Sequence, residues 1–385
     1  MVYETLEVSQ SCTLFPIFIP INTHLMQKIL LFILLPLVAL QPVGAQTRRS
    51  SDPAIQEATR LIQDLMTEQR IPGISITILR NGKTLWSEGF GFADLENQSP
   101  VIPGKTMFRI GSVSKPFSAA ALALLYEAGK VDLDAEVQTY VPYFSRKKYP
   151  VTVRQVAGHI AGIRHYRGQE FLSADRYPSV KESLSIFGGD TLLFEPGTKY
   201  SYSSYGWNLI SAVIEGASGE DFLTYMQREV FDRLGMDHTS PDFNDSIIVG
   251  RTRYYAVNDK GNLVNAPYVD NSYKWAGGGF IATSDDVARF ADAHMNPGFL
   301  KPSTLETWIQ SQHLKDGSAT NYGIGWGSGK DSDGRPWFGH TGGSVGGITM
   351  MRVYPAEKLV IAILSNSSDV SYGKATEQLA TLFSK

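Results

Sequence analysis

The chain is predicted to be α+β, with an antiparallel sheet formed from both chain ends, flanked by terminal helices, and a mainly helical second lobe. Two hairpin patterns and one long helical stretch predict it. Near each end of the chain, apolar residues alternate at period two on both sides of a tight turn, the spacing of half-buried strands. From about 112 to 310 the apolar spacing is mostly helical.

Taken in order, the first element is an amphipathic helix that gathers Ile55, Ala58, Leu61, Ile62, Leu65 and Met66 on one face. Gly73 to Leu79 then alternates, turns at Asn81-Gly82 and returns through Thr84 to Gly89. A helix opening at Ser112 carries Phe117, Ala120, Ala121, Leu124 and Leu125. Pro116 fits its first turn, where a missing N–H has no partner, and Gly129 is its stop. A polar, aromatic turn from Pro196 to Gly206 precedes a helix over Leu209 to Ala217. At the far end Ile348 to Tyr354, a Pro355-Ala356-Glu357-Lys358 turn and Leu359 to Leu364 form the second hairpin. A final helix through Glu377, Leu379 and Leu382 follows, with Ser371 expected to cap it. The sheet lobe is thus expected from about 53–110 and 320–385, the helical lobe from about 111–310, and a ligand site in the cleft between them.

The first 45 residues are expected to be an upstream segment and a cleaved signal peptide. Met26-Gln27-Lys28, the apolar run Ile29 to Leu40 and Val43-Gly44-Ala45 before Gln46 supply a basic start, a short apolar core and a small-residue cleavage site. Met26 is then the expected true start, and residues 46–385 are expected to form one large domain of two lobes that is exported to the periplasm or the extracellular space. The apolar run is too short for a stable membrane anchor, and no lipobox cysteine follows it. Cys12, the only cysteine, falls in the removed segment, so the remainder has no thiol chemistry. Losing Glu4, Glu7 and Lys28 moves the net charge only from −3 to −2, with no long run of one sign, which argues against nucleic acid and for a small-molecule or peptide partner. His159 and His165 are six apart, off any common helix face, and there is no His-Glu-x-x-His or paired-cysteine pattern. Neither a metal nor a cofactor is expected.

Ser112 and Lys115 stand three residues apart at a helix start, so the hydroxyl and the amine share one face. The spacing alone leaves Ser112 as either a nucleophile or a cap, because Ser-x-x-Lys recurs at Ser145/Lys148 in a basic loop and at Ser371/Lys374. Tyr202 lies in the aromatic turn, and a lysine ammonium beside it would stabilise its phenolate for proton transfer. Surface-loop aromatics are the plainer alternative. The glycine-rich run Gly339 to Gly347 lets a substrate approach the backbone, and the N–H of Gly343 can complete an oxyanion hole with that of Ser112. A tight turn is the other reading. Gly342-x-Ser344-x-Gly346 has nucleophile-elbow spacing, but no histidine follows His340, as that chain order requires.

In order, Ser112-x-x-Lys115, Tyr202-x-Ser204 and His340-Thr341-Gly342 resemble the three motifs of the penicillin-recognising serine hydrolases. This is the branch of class C β-lactamases, D-alanyl-D-alanine carboxypeptidases, related esterases and the mitochondrial serine β-lactamase-like protein. Ile71-Pro72-Gly73, the run Val153 to Tyr166, Gly277-Gly278-Gly279-Phe280 and Tyr322 to Trp326 extend the likeness over roughly 53–383. Gly162 to Tyr166 and the His-Thr-Gly-Gly run look most like the mitochondrial protein. The resemblance implies that Ser112 attacks a carbonyl, that Lys115 and Tyr202 manage its proton, and that the N–H groups of Ser112 and Gly343 hold the oxyanion. It also implies that Ser204, His340, Thr341 and Gly342 bind substrate. Two positions depart from the family pattern. Ser204 stands where an asparagine amide is usual, and His340 stands where a permanently charged lysine is frequent. The expected activity is therefore hydrolysis of an ester or amide, as a peptidase, an esterase or a weak β-lactamase. A catalytically silent binding or self-assembling protein on the same fold is the competing class, and the oligomeric state is not legible.

Overall fold

The computed structural model describes residues 52–296 and 298–384, so the leader expected in residues 1–45 lies outside the described residues. Helix α1 (Pro53–Gln69) begins where the Asp52 carboxylate accepts the Ala54 N–H at 2.8 Å. Strands β1 (Gly73–Arg80) and β2 (Lys83–Asp94) form the first predicted hairpin, and Asn81 and Gly82 take the positive φ values, 52° and 72°, that such a turn needs. Strand β3 (Ser99–Pro100) pairs with the end of β2.

The middle of the chain supplies β4 (Phe108–Arg109), α2 (Ser114–Glu127), α3 (Val153–Ala157), α4 (Val180–Ser183), α5 (Ser204–Ser218) and α6 (Phe222–Met226). It continues with β5 (Thr239–Pro241), β6 (Tyr255–Val257), β7 (Leu263–Asn265), α7 (Trp275–Gly278), β8 (Phe280–Ala282), α8 (Ser284–Ala293) and α9 (Pro302–Ile309). The chain then re-enters the main sheet as β9 (Gly327–Lys330), β10 (Pro336–Ser344), β11 (Gly347–Tyr354) and β12 (Leu359–Ser365), and finishes in α10 (Gly373–Phe383).

Because β1 pairs antiparallel with β12, from Ile74 opposite Ser365 to Arg80 opposite Leu359, the two chain ends meet in the middle of one sheet ordered β3-β2-β1-β12-β11-β10-β9. The period-two pattern sorts its faces. Ile74, Ile76 and Ile78 join Ile361 and Ile363 in a core with Ala58, Ile62, Leu379 and Phe383 of the terminal helices. Val360, Ala362 and Leu364 belong instead to the larger core with Phe117, Val287, Phe290 and Trp326. The α+β architecture is therefore as predicted, with two differences of detail. Helix α8 lies against the sheet, where Ser284 Oγ sits 2.7 Å from Ser75 Oγ and 2.8 Å from Thr77 Oγ1. The middle of the chain also holds a small β4-β8-β5 sheet and a β6-β7 hairpin.

Ser371 does not cap α10. Tyr372 holds the cap position without a side-chain bond, and the Ser371 N–H donates instead to Gln69 Oε1 at 2.8 Å, tying the two terminal helices together.

Candidate active site

Ser112 sits one turn before α2 proper, in a 3-10 turn over Gly111–Val113. Two glycines let β10 press against this turn. A Cβ on Gly111, whose φ is +49°, would stand 2.6 Å from the Gly343 carbonyl oxygen. One on Gly342 would stand 1.9 Å from the Ile110 carbonyl oxygen and 3.0 Å from the Ser112 nitrogen. Backbone therefore meets backbone, and Ser112 and Gly343 share the wall of one small cavity. The glycine-rich run is strand rather than tight turn up to Ser344. Since β9 pairs only as far as Gly339, residues 340–344 keep one edge free of that strand.

Lys115 lies in the first turn of α2 and is completely buried. Its Nζ is 3.0 Å from Ser112 Oγ, 3.1 Å from Ser204 Oγ and 2.6 Å from the Gly277 carbonyl oxygen. Burial, reinforced by the Lys274 side chain, holds its pKa well below the ordinary 10.5, which favours the neutral amine. A neutral amine has two N–H donors and one lone pair. As a donor Lys115 Nζ serves the Gly277 carbonyl, Ser204 Oγ and Ser112 Oγ; once it gives up a proton, its lone pair can face Ser112 and accept that hydroxyl's proton.

Tyr202, just ahead of α5, hydrogen-bonds Ser112, and its ring centroid is 4.8 Å from Lys115 Nζ. Burial raises its phenol far above the usual range. Burial thus favours the uncharged form of both groups, the amine of Lys115 and the phenol of Tyr202, in place of the ammonium–phenolate pair considered for Tyr202 from sequence.

The backbone carrying Tyr202 and Ser204 is fixed by two neutral histidines. His159 Nδ1 accepts the Ser203 N–H and His165 Nδ1 accepts the Ser204 N–H, each at 3.1 Å. Ser203 caps α5 by accepting the Gly206 N–H at 3.0 Å. Burial and the nearby lysines push His165 down to about 4 and His159 well below its ordinary value. The two histidines therefore act as hydrogen-bond acceptors, and among the described residues no cluster of histidine, cysteine or carboxylate side chains could hold a metal. Ser204 is itself occupied, bonded to Lys115 and to the Tyr166 hydroxyl.

His340 is buried on β10. Its Nδ1–H donates to the Thr341 carbonyl at 2.5 Å, which leaves Nε2 to accept the Tyr322 O–H at 2.9 Å. Burial and the Lys115 amine push it down to about 3, so no cation stands where a lysine is frequent in the family pattern. His340 and Thr341 line an adjoining cavity of about 210 Å³ with Tyr202, Tyr322 and Met351, while the cavity at Ser112 is about 70 Å³. The structure thus gathers Ser112, Lys115, Tyr202, Ser204 and Gly343 around the nucleophile and places His340 and Thr341 behind Tyr202.

Several wall residues were missed by sequence reasoning. Tyr166, Phe171, Lys274, Gly277 and Gly278 line the Ser112 cavity. The one available signal was a lone lysine inside the aromatic run Tyr273-Lys274-Trp275 ahead of three glycines. Behind the cavity, Arg109 and Asp242 form a buried ion pair at 2.6 Å. Arg109 Nη1 also donates to the Val345 carbonyl at 2.8 Å, which anchors the β10–β11 turn.

A serine hydroxyl held by a buried lysine and a tyrosine phenol, opening beside a glycine-lined strand, has the parts that serine hydrolase chemistry needs. The chain belongs to the beta-lactamase family, whose model matches residues 58–382 and whose members are serine hydrolases. The mitochondrial serine beta-lactamase-like protein LACTB of Homo sapiens is 31% identical, with 86% of this chain covering 80% of that protein. The octameric penicillin-binding protein homologue from Pyrococcus abyssi superimposes with a TM-score of 0.74 at 25% identity, over 86% of this chain and 78% of its own. A D-stereospecific amidohydrolase from Streptomyces sp. shares the fold, with a TM-score of 0.71 at 21% identity over 85% of this chain and 98% of its own.

Proposed function

We propose that this protein is an exported serine acyl-hydrolase that forms an acyl-enzyme on Ser112 and hydrolyses an ester or amide bond. The observation that carries the reading is the Ser112 hydroxyl 3.0 Å from a fully buried Lys115 whose pKa burial lowers. Lys115 Nζ takes the Ser112 proton as Oγ bonds to the substrate carbonyl carbon, and the N–H groups of Ser112 and Gly343 receive the oxygen as it becomes an anion. On collapse the C–O or C–N bond breaks. The leaving atom takes the proton held by the Lys115 ammonium, either directly or through the Tyr202 hydroxyl, which Lys115 then reprotonates, so Lys115 is neutral again for the second half-reaction. Water then adds to the acyl carbon, loses its proton to the same base, and expels Ser112 Oγ. The proton taken from Ser112 thus leaves on the departing group, and the one taken from water is passed by Lys115 to Ser112 Oγ as that oxygen is expelled.

The neutral His340 and the occupied Ser204 favour small esters and peptides over penicillins, because neither residue offers the cation or the amide that the usual motifs present. The test is the intact mass of the purified chain after a fluorophosphonate and, separately, a penicillin, with adducts mapped to peptides. A fluorophosphonyl group on Ser112, with turnover of esters or D-alanyl peptides, is the expected result. No adduct on Ser112 from either reagent overturns the reading in favour of a silent binding protein.

A further inference from the structure

Lys274 is not used by the acyl-transfer steps, yet its side chain lines the same cavity as Ser112 and is only 2% exposed. Among the described residues its Nζ has no hydrogen-bond acceptor. The ammonium is held by aromatic faces alone: Phe171 at 4.5 Å, Tyr273 at 5.0 Å and Tyr166 at 5.7 Å from Nζ to the ring centroids. Rings of this kind offset part of the cost of burying a cation but supply no oxygen.

The carboxylates nearby are already engaged. Asp242 is taken by Arg109 at 2.6 Å, Arg251 at 3.3 Å and Asn271 at 2.9 Å, and Glu170 by Arg164 at 2.6 Å and the Tyr205 hydroxyl at 3.0 Å. His165, the other basic side chain lining the cavity, is taken by the Ser204 N–H, and Lys115 beneath it by three oxygens, so Lys274 is the basic group of this wall left without an oxygen partner among the described residues; burial holds it down to about 7, and an incoming carboxylate favours its charged form. The cavity, at about 70 Å³, holds roughly five times the ~10–15 Å³ that one water needs on the same measure, which is room for a short substituent and not for a large ring system. Ser204, which contacts Lys115, lines this cavity as well, and the free edge of β10 bounds it at Gly343.

The geometry points to Lys274 as the anchor for a carboxylate carried on the acyl half of the substrate. The class of substrate hydrolysed is then a short dicarboxylic half-ester or half-amide, the anion lodging beside Phe171 and Tyr166 while Ser112 attacks the other carbonyl. This rests on the acyl-hydrolase reading of Ser112. A charge-assisted hydrogen bond of this kind is worth about a 10- to 100-fold preference.

The test compares 4-nitrophenyl hemisuccinate with 4-nitrophenyl butyrate, which has nearly the same shape and no charge, in the wild type, Lys274→Met and Lys274→Arg. The ratio of their kcat/KM values cancels the concentration of active enzyme, so a partly folded variant still reports it. The expected ratio is at least about 10 in the wild type, near or below one in Lys274→Met, and restored in part by Lys274→Arg. A wild-type ratio near one, or a high ratio that survives in Lys274→Met, overturns the assignment. A fluorophosphonate adduct on Ser112, measured in the same samples, separates the two claims: with the adduct and no preference only the anchor fails, and without the adduct the acyl-hydrolase reading fails first. Should Lys274→Met give no soluble protein, Lys274→Gln serves, read by the same ratio.

Discussion

The two walls of the Ser112 cavity are built on opposite principles. The β10 wall is backbone and glycine, brought within contact of the 3-10 turn because Gly111 and Gly342 have no Cβ, while the strand's one titratable side chain, His340, is neutral and lines the adjoining cavity. The opposite wall, made by 165–171, 202–204 and 274–278, is aromatic and basic, and carries a buried lysine with no oxygen partner among the described residues. One wall positions a carbonyl by shape, and the other reads charge. The cation that the family pattern puts on the strand is absent there, and the one this cavity does have comes from the other side.

The floor between the walls should show the largest effects. Ser112→Ala is expected to lower kcat by about 10⁴–10⁶-fold and to abolish any covalent adduct, read by turnover and intact mass. Lys115→Met should cost roughly 10²–10⁴-fold. Because the base must be unprotonated, wild-type activity should fall as pH drops through the depressed pKa of Lys115.

On the strand wall, Gly342→Ala pushes a methyl against the Ile110 carbonyl and moves Gly343 away from Ser112. A loss of about 10²–10³-fold in kcat is expected, the size typical of losing an oxyanion donor, together with a lower melting temperature. A variant with unaltered kcat would show that this contact does not set the oxyanion geometry.

How much of this could be read in the sequence divides along the same line. Glycine and the Ser-x-x-Lys and His-Thr-Gly runs carry their meaning locally, since each names a backbone shape or a helix-face pairing within a few residues. The basic wall does not, because Lys115 and Gly277 are 162 residues apart and no local pattern says that the 274–278 segment closes over α2. Burial was the second hidden quantity. Tyr202 and Lys115 were both identified, but their protonation states follow from complete desolvation, which spacing does not report. The cap assigned to Ser371 failed for a simpler reason: a tertiary bond to Gln69 outweighed a local propensity.

A smaller effect sharpens the contrast through stability. Lys274 is held down to about 7, against about 10.4 for a lysine in an unfolded chain. Between those values the unfolded chain binds a proton that the folded chain lacks, so stability rises with pH across that window and is lost as pH falls toward 7. Melting temperatures taken from pH 7 to 10 should climb in the wild type and flatten in Lys274→Met. An unchanged slope would mean that Lys274 titrates normally. Smallest of all should be His340→Gln, expected to alter kcat/KM by less than about tenfold with no new pH step, because the imidazole it replaces is already neutral.

The central claim is that a neutral Lys115 activates Ser112, and the rate of fluorophosphonylation of Ser112 as a function of pH tests it most directly. The account predicts a sigmoidal rise with a midpoint well below 10.5, and its loss in Lys115→Met. A rate that stays flat until the pH nears 10.5, or one that Lys115→Met leaves unchanged, would contradict it.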